Sequence, residues 1–395
     1  MNKFDKRILH SLFTLILGLI CSQPLPAQNS PSSKTASEPK NFAEVVQEYF
    51  GQWDSNGDGV LSKEEIESAA TNPKVRGDAA AAVATLVHFV RNKDFTLPPI
   101  TKDYLTATTA LDSKSADEQS DQDEDENSDI AKRPSYQRTF HKYLLKVNQT
   151  SRQLFPKNIP SFEAVHQGSL GDCPFVSTVG ALVYRNPAVF KAMFVEKDNG
   201  STSVTFGNGQ SLNIHNLTDV DIAIWSSAGT NGLWLTILEK AYRRILVATE
   251  HPDPKDRPSI YDKFGPSART IEILDGHQTR KVEMRSVRAG KIELDALRRD
   301  LIVASSEKLL VKAETPAGKK TPGISPDHAY AVLGYDKGTD LVHVWNPHGN
   351  NFTPKGTDGL QNGYITKRGE FDVPLRDLDQ IFSDLNFETK ALAKQ

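Results

Sequence analysis

The sequence predicts an α+β fold of two lobes, preceded by a small α-helical domain. In the larger, C-terminal part of the chain, apolar residues first follow helical spacing, at Val176–Tyr184 and Trp234–Leu246. Further along, runs typical of β-strands occur at Lys308–Ala313, Ala329–Tyr335 and Leu341–Trp345. Helices followed by strands are typical of α+β domains, in which the two kinds of element segregate. We therefore expect a helical lobe and a β lobe within residues 133–395.

The small helical domain is predicted at residues 41–110. Its first helix is indicated by apolar residues at steps of three and four, namely Phe42, Val45, Val46, Tyr49, Phe50 and Trp53. A second helix is predicted at Ala79–Val90, and a short third one around Thr101–Leu105. The 395 residues suffice for two domains, because a domain usually takes ~100–200 residues.

An acidic segment lies between the two predicted domains. Residues 112–129 hold nine acidic side chains and one lysine, whereas the whole chain has a net charge of only −3. A block of like charges repels itself and cannot bury a core, so residues 111–132 are predicted to be a solvated linker. A calcium-attracting tail or an inhibitory arm is the alternative. The small net charge gives no reason to expect a nucleic-acid partner.

The first 27 residues have the pattern of a signal peptide. A basic start precedes an apolar run at residues 8–20, and small Ala27 stands before a plausible cleavage point. The run is shorter than the ~20 residues of a spanning helix, although a membrane anchor remains the rival interpretation. Lipidation of Cys21 is disfavoured by bulky Ile20. We expect an exported protein (secreted, periplasmic or in the cell envelope) without a membrane partner after cleavage, and a disordered polar segment at residues 28–40.

Removal of the signal peptide would leave Cys173 as the only cysteine. A lone cysteine forms no internal disulfide, and exported proteins usually avoid an unpaired thiol. Two interpretations stay open on the count alone. Cys173 is either a thiol whose chemistry is used or a small buried apolar residue.

Residues 54–65 have the pattern of an EF-hand calcium loop. Glycine stands at position 6, where the loop turns sharply, and oxygen donors stand at every ligand position: Asp54, Asn56, Asp58, Val60 through its carbonyl, Ser62 and Glu65. We predict Ca²⁺ as the cofactor, in a structural role, with a metal-free partner segment around Phe95–Ile100. A surface turn rich in Asp and Gly is the alternative.

The segment HQGSLGDCPF, residues 166–175, indicates an activated nucleophile. An apolar, helix-like run follows Cys173, and Pro174 is well tolerated in a first helical turn. A helix N-terminus favours the thiolate form of a cysteine. The side-chain amide of Gln167 is predicted to donate to the oxygen that becomes negative during acyl transfer, beside the backbone N–H of Cys173.

His328 is the histidine with the best setting for a base. Two strand-like runs flank the turn at Asp336–Thr339, so a hairpin is predicted. Folding it about residues 337 and 338 brings His328 opposite residue 347, and a one-residue bulge brings in Asn346 instead. An asparagine there can orient the imidazole without taking its proton.

These segments resemble the catalytic segments of calpains. HQGSLGDCPF is similar to the calpain cysteine segment, HAYAVLGY to the histidine segment and VWNPHG to the asparagine segment. GLWLTILEKAYRR and GEFDVPLRDLDQIF resemble a packing helix and the elements that end the core. The resemblance covers Phe162 to Phe387. It implies a papain-like two-lobed fold, with Cys173 as nucleophile, His328 as base, Asn346 as orienter and Gln167 in the oxyanion hole.

Two residues depart from the calpain pattern. Pro174 and His348 stand where the family has tryptophan, so a wetter and less active site is expected. The main hypothesis is a calcium-associated cysteine endopeptidase that acts on proteins or peptides. The alternatives are a non-catalytic calcium-binding surface protein with a degenerate calpain-like fold, and a transglutaminase-like acyl transferase.

Overall fold

The computed structural model describes residues 40–92, 95–116, 135–262, 269–318 and 321–391. The predicted signal peptide, the polar segment up to residue 39 and residues 117–132 of the predicted linker lie outside these ranges. Among the described residues, no helix combines the length and the apolar character that a membrane span requires.

Five helices form the N-terminal region, and the predicted helices are among them. They are α1 (Phe42–Trp53), α2 (Lys63–Thr71), α3 (Gly77–Arg91), α4 (Lys102–Ala116) and α5 (Tyr136–Gln149). Asn41 and Ser62 are the N-cap residues of α1 and α2. Each forms a capping box with the glutamate three residues later. The predicted short third helix is longer than expected, because α4 continues to Ala116 and so into the acidic segment.

The N-terminal helices share one apolar core with the domain that follows. Phe42 of α1 belongs to the same buried apolar cluster as Trp225 and Tyr261 of the C-terminal domain. Polar contacts cross the same boundary, since the N–H of Gly77 donates to Asp219 at 2.9 Å. The helical region and the C-terminal region are therefore packed together, rather than held apart by a solvated connection.

A largely helical part of the C-terminal region surrounds helix α6 (Cys173–Arg185). It also contains α7 (Pro187–Lys191), α8 (Asp219–Ile224), α9 (Trp234–Glu250) and α10 (Thr270–Asp275). A small antiparallel sheet, absent from the sequence prediction, consists of β1 (Phe194–Glu196), β2 (Thr202–Thr205) and β3 (Ser211–Ile214). Strands of three or four residues are too short for alternation of apolar and polar residues to reveal them.

The C-terminal region also contains a six-stranded antiparallel sheet with the order β4-β9-β5-β6-β7-β8. Its strands are β4 (His277–Glu283), β5 (Val311–Glu314), β6 (Ala329–Asp336), β7 (Leu341–Trp345), β8 (Glu370–Pro374) and β9 (Asp384–Ala391). Helices α11 (Met284–Arg288), α12 (Leu294–Glu307) and α13 (Leu378–Ile381) accompany it. The strand predicted from Lys308 begins three residues later, because Lys308 takes a left-handed conformation (φ 55°) that ends α12.

The β6–β7 hairpin forms as predicted, but its register differs from the prediction. Asp336 pairs with Leu341, so the loop is two residues longer on its β7 side than a turn centred on residues 337 and 338. A bulge between Val332 and Gly334 then lets Ala331 pair with Trp345. Continued to the open end, this register brings His328 level with His348 and not with Asn346.

Helix α6 packs against the face of this hairpin through a glycine. A Cβ atom on Gly180 would lie 2.3 Å from Cζ3 of Trp345, so only glycine allows this close approach. The contact joins the helix that begins at Cys173 to the strand that ends next to Asn346. It therefore brings the helices and the six-stranded sheet into contact near the predicted catalytic residues.

Candidate active site

Cys173 is the first residue of helix α6, as the sequence predicts. Asp172 is the N-cap residue, and Pro174 follows Cys173 within the first turn. Gly171, two residues before Cys173, has a φ of 68°, a left-handed conformation that glycine adopts at little cost. This turn directs the chain into the helix and places the thiol at its N-terminal end.

The thiol of Cys173 is buried and un-ionised. Burial raises its pKa to about 11, while a backbone hydrogen bond from the N–H of Ala329 to the sulfur acts in the opposite direction. The expectation that the helix N-terminus makes this cysteine a ready thiolate is therefore not met in this arrangement, since desolvation is the larger effect. Ala329 follows His328 directly, so the sulfur lies beside the backbone of the predicted base.

His328 and Asn346 are brought together, as the sequence predicts. Nε2 of His328 lies 2.8 Å from Oδ1 of Asn346. The backbone of His328 is fixed by Thr315, whose hydroxyl accepts from the N–H of His328 at 3.0 Å. The pKa of His328 is lowered to about 3, mainly by burial and also by the neighbouring His348, while the bond with Asn346 opposes both.

The site is drier than the replacement of two tryptophans suggests. Cys173, His328 and Asn346 are only 9%, 6% and 1% exposed. His348, which is itself exposed, covers one face of the His328 ring, and Tyr330 meets that ring edge-on at 5.0 Å. The expected wetter site is thus not observed, because an imidazole and a phenol ring cover the histidine in place of the indole.

Gln167 lies on the segment before Cys173 and is tied to the asparagine segment. Its backbone N–H donates to the carbonyl of Pro347 at 3.2 Å. The side-chain Oε1 of Gln167 is buried without a hydrogen-bond partner among the described residues. Gly168 allows the backbone to pass close to α8, since a Cβ there would lie 2.5 Å from the carbonyl oxygen of Ile224.

A buried pair of carboxyl groups, which the sequence analysis did not identify, lies behind the nucleophile. The side chains of Asp172 and Glu239 are hydrogen-bonded to each other, and both residues are fully buried. Ser226 joins them, because its N–H donates to Glu239 at 2.5 Å and its hydroxyl to Asp172 at 3.3 Å. Burial raises the pKa of Glu239 well above its ordinary value, and Asp172 raises it further. Glu239 is therefore the protonated partner.

The predicted calcium loop connects α1 to α2 and has many of its oxygens turned inward. The carboxylate of Asp54 accepts from the N–H groups of Gly57 and Gly59, both at 2.9 Å. The side-chain oxygen of Asn56 accepts from the N–H of Asp58, and the carboxylate of Asp58 accepts from the N–H of Val60. A backbone bond from the N–H of Leu61 to Ile100 pairs the loop with its predicted partner segment.

Glu65, the predicted bidentate ligand, is occupied by hydrogen bonds within the loop. Its Oε1 accepts from the N–H groups of Ser55 and Asn56, and its Oε2 from the N–H and hydroxyl of Ser62. These bonds lower the pKa of Glu65 to about 2, those from Ser62 most strongly. The donor set fits a hard cation, provided that Glu65 exchanges bonds to N–H groups for bonds to the ion.

One family model matches this chain. The model described as calpain family cysteine protease matches residues 130–361, which is more than half of the chain and includes Gln167, Cys173, His328 and Asn346. The loop at residues 54–65 lies outside the match. No curated protein matches the chain. The extent of the family match shows that this chain belongs to the calpain family of cysteine proteases.

Proposed function

We propose that the chain is a cysteine endopeptidase that hydrolyses peptide bonds with Cys173, His328 and Asn346. The observation that carries the proposal is the 2.8 Å contact between Nε2 of His328 and Oδ1 of Asn346. It occupies one ring nitrogen and leaves Nδ1 as the base. The sulfur of Cys173 lies beside the backbone that carries this ring, because it accepts the N–H of the adjacent Ala329.

In the first half of the reaction, the sulfur of Cys173 attacks the peptide carbonyl carbon while its proton moves to Nδ1 of His328. The imidazolium is stabilised because Asn346 accepts from its Nε2–H. The carbonyl oxygen gains negative charge near the N–H of Cys173, which has no partner within the helix, and near the amide of Gln167. His328 then protonates the leaving amine as the C–N bond breaks.

In the second half, water hydrolyses the thioester that links the substrate to Cys173. The water oxygen bonds to the acyl carbon and transfers a proton to His328. The C–S bond then breaks, and the departing sulfur of Cys173 takes that proton and becomes a thiol again. Because the pKa of the thiol is about 11 and that of the imidazole about 3, the resting site is uncharged. Proton transfer therefore has to accompany the attack on the substrate.

Labelling of the full chain with an electrophilic peptide, followed by intact-mass measurement, tests the peptidase proposal. We expect one adduct on the wild type, none on Cys173→Ala and labelling at least ~100-fold slower on His328→Ala, since a neutral buried thiol needs its base. Each protein is tested with calcium and with chelator. Absence of labelling in both conditions, or equal labelling of His328→Ala, would contradict the proposal.

One observation favours a second candidate, the non-catalytic calcium-binding protein. The uncharged resting pair of Cys173 and His328 is also what a degenerate site would contain. Cleavage of an unfolded protein substrate by the wild type and not by Cys173→Ala decides between the two. Product analysis with an added amine separates hydrolysis from acyl transfer, because only a transferase forms the amide preferentially.

We also propose that the loop at residues 54–65 binds a structural Ca²⁺ ion through Asp54, Asn56, Asp58, Val60, Ser62 and Glu65. The proposal is supported by the inward-turned oxygens and by the pairing of Leu61 with Ile100. The loop belongs to the core shared with α5, so an ion there would stabilise the packing of the N-terminal helices. Export, as the first 27 residues predict, would expose the loop to abundant calcium.

A further inference from the structure

The catalytic proposal requires one particular tautomer of His328. A neutral imidazole carries its proton on Nδ1 or on Nε2, and only the nitrogen without the proton can act as base. The amide of Asn346 selects between them. When its oxygen faces Nε2, that nitrogen carries the proton, whereas an amide turned by 180° would present its NH₂ group and favour a proton on Nδ1.

Two contacts fix the orientation of the Asn346 amide. The backbone N–H of His348 donates to Oδ1 at 3.0 Å, which requires an oxygen at this end. At the other end, Nδ2 donates to Oδ1 of Asn350 at 2.9 Å, which requires a nitrogen there. The polarity of Asn346 is therefore set jointly by the N–H of His348 and by the side chain of Asn350.

Asn350 is itself oriented by a group that can only accept. Its Nδ2 donates to the backbone carbonyl of Gly323 at 3.3 Å, so its oxygen is directed to Asn346. The backbone of Asn350 is held separately, because its carbonyl accepts the N–H of Gly369 at 2.8 Å. A continuous series of donors and acceptors thus runs from Gly323 through both asparagines to the ring of His328.

We propose that Asn350 is a positioning residue that sets the tautomer of His328, so that Nδ1 is free to accept the proton of Cys173. The proposal rests on the proposed role of His328 as base. Asn350 does not touch the reacting atoms and acts only through Asn346. In the sequence, only its position four residues after Asn346 hints at this role.

The tautomer can be observed directly by NMR of the ¹⁵N-histidine-labelled full chain near pH 7, with the His328 signals assigned from a His328→Gln variant. We expect the Nε2–H tautomer in the wild type and a population of the Nδ1–H tautomer in Asn350→Ala. Asn350→Asp keeps an acceptor for Asn346 and is expected to restore the wild-type signals. Asn351→Ala is the matched control, because Asn351 bonds instead to the N–H of Arg368.

Peptide labelling supplies the second readout. We expect the labelling rate constant to fall about tenfold in Asn350→Ala with unchanged probe affinity, and to stay near the wild-type value in Asn350→Asp and Asn351→Ala. Asn350→Leu replaces the alanine variant if that variant does not fold. A pure Nε2–H tautomer in both apolar variants, or an Nδ1–H tautomer in the wild type, overturns the proposal. The tautomer measurement decides even if the wild type is not labelled, which would count against the peptidase proposal alone.

Discussion

The imidazole ring of His348 stacks on that of His328, with 4.2 Å between the ring centroids and 27° between the ring planes. Tryptophan stands at the position of His348 in the calpain pattern, and an indole takes up no proton. An imidazole does, so a proton on His348 would place a positive charge against the ring that has to become positive during catalysis. The substitution thus introduces a second titrating group into the site.

The first prediction concerns this stacked pair. His348→Phe keeps an aromatic ring over His328 and removes the second titration, so the fall of peptide labelling in acid is expected to follow the titration of His328 alone. The pKa of His328 should rise in the same variant, because His348 lowers it. Labelling rates between pH 4 and 8 and NMR titration of His328 check both effects. Identical pH profiles for the two proteins would show that His348 does not titrate against His328.

The second prediction concerns stability in acid. The pKa of His328 falls from 6.5 to about 3 on folding, so the unfolded chain binds the proton and the folded chain does not between these values. The contribution of neutral His328 is complete above pH 6.5 and is lost as the pH falls toward 3. His328→Gln keeps a donor for Asn346 without titrating. We expect the stability of the wild type relative to this variant to fall by about 2–3 kcal/mol between pH 7 and pH 4.

Urea unfolding of both proteins at a series of pH values measures this difference. The variant provides the control, because every other titrating group is common to the two chains. Parallel curves of unfolding free energy against pH would mean that His328 is not desolvated in the folded protein.

The third prediction concerns the carboxyl pair behind the nucleophile. Glu239 holds a proton in the folded chain, so its raised pKa contributes stability that is complete below pH 4.5 and is lost as the pH rises. Glu239→Gln supplies a permanent donor to Asp172 without taking up a proton. We expect this variant to be more stable than the wild type by about 1–2 kcal/mol at pH 8, with a smaller gain at pH 5.

Glu239→Ala is the contrasting variant for this pair, since it leaves Asp172 buried without its partner. It should lose about 3–5 kcal/mol at neutral pH. If the glutamine variant is the less stable one at pH 8, the two carboxyl groups do not share a proton.

The fourth prediction compares two glycines in helices. Gly180 of α6 faces the ring of Trp345, whereas a Cβ on Gly51 of α1 would have no neighbour within 4 Å. Gly180→Ala should therefore destabilise the protein by about 1–3 kcal/mol through overpacking. Gly51→Ala should stabilise it by about 0.5–1 kcal/mol through helix propensity alone. Urea unfolding measures both, and equal effects would mean that α6 does not pack on β7 as described.

The fifth prediction concerns calcium. A structural site with a dissociation constant of ~0.1–1 mM would add about 1–3 kcal/mol to the unfolding free energy at ~10 mM calcium. We expect calcium to raise the unfolding midpoint of the wild type and not that of Glu65→Ala. Magnesium at the same concentration is the control, because its small octahedral shell suits this kind of loop poorly. A midpoint that is insensitive to calcium would leave the loop as a surface turn.

The sequence by itself was sufficient to predict the helices that begin at Phe42 and Cys173, and the hairpin that carries His328 and Asn346. These predictions rest on local patterns, because helical spacing, capping and turn residues act between neighbours in the chain. The family resemblance carried by three short segments was equally local. It is confirmed by the family match over residues 130–361.

Only the tertiary structure decided how the site is arranged. The register of the hairpin depends on a bulge next to Leu333, and that register brings His348 rather than Asn346 level with His328. The pKa values of Cys173 and His328 depend on burial, which is set by groups far apart in the sequence and outweighs the effect of a helix end. The partnership of Asp172 with Glu239 has the same origin. Non-local packing determines register and desolvation, and no local pattern of residues encodes either.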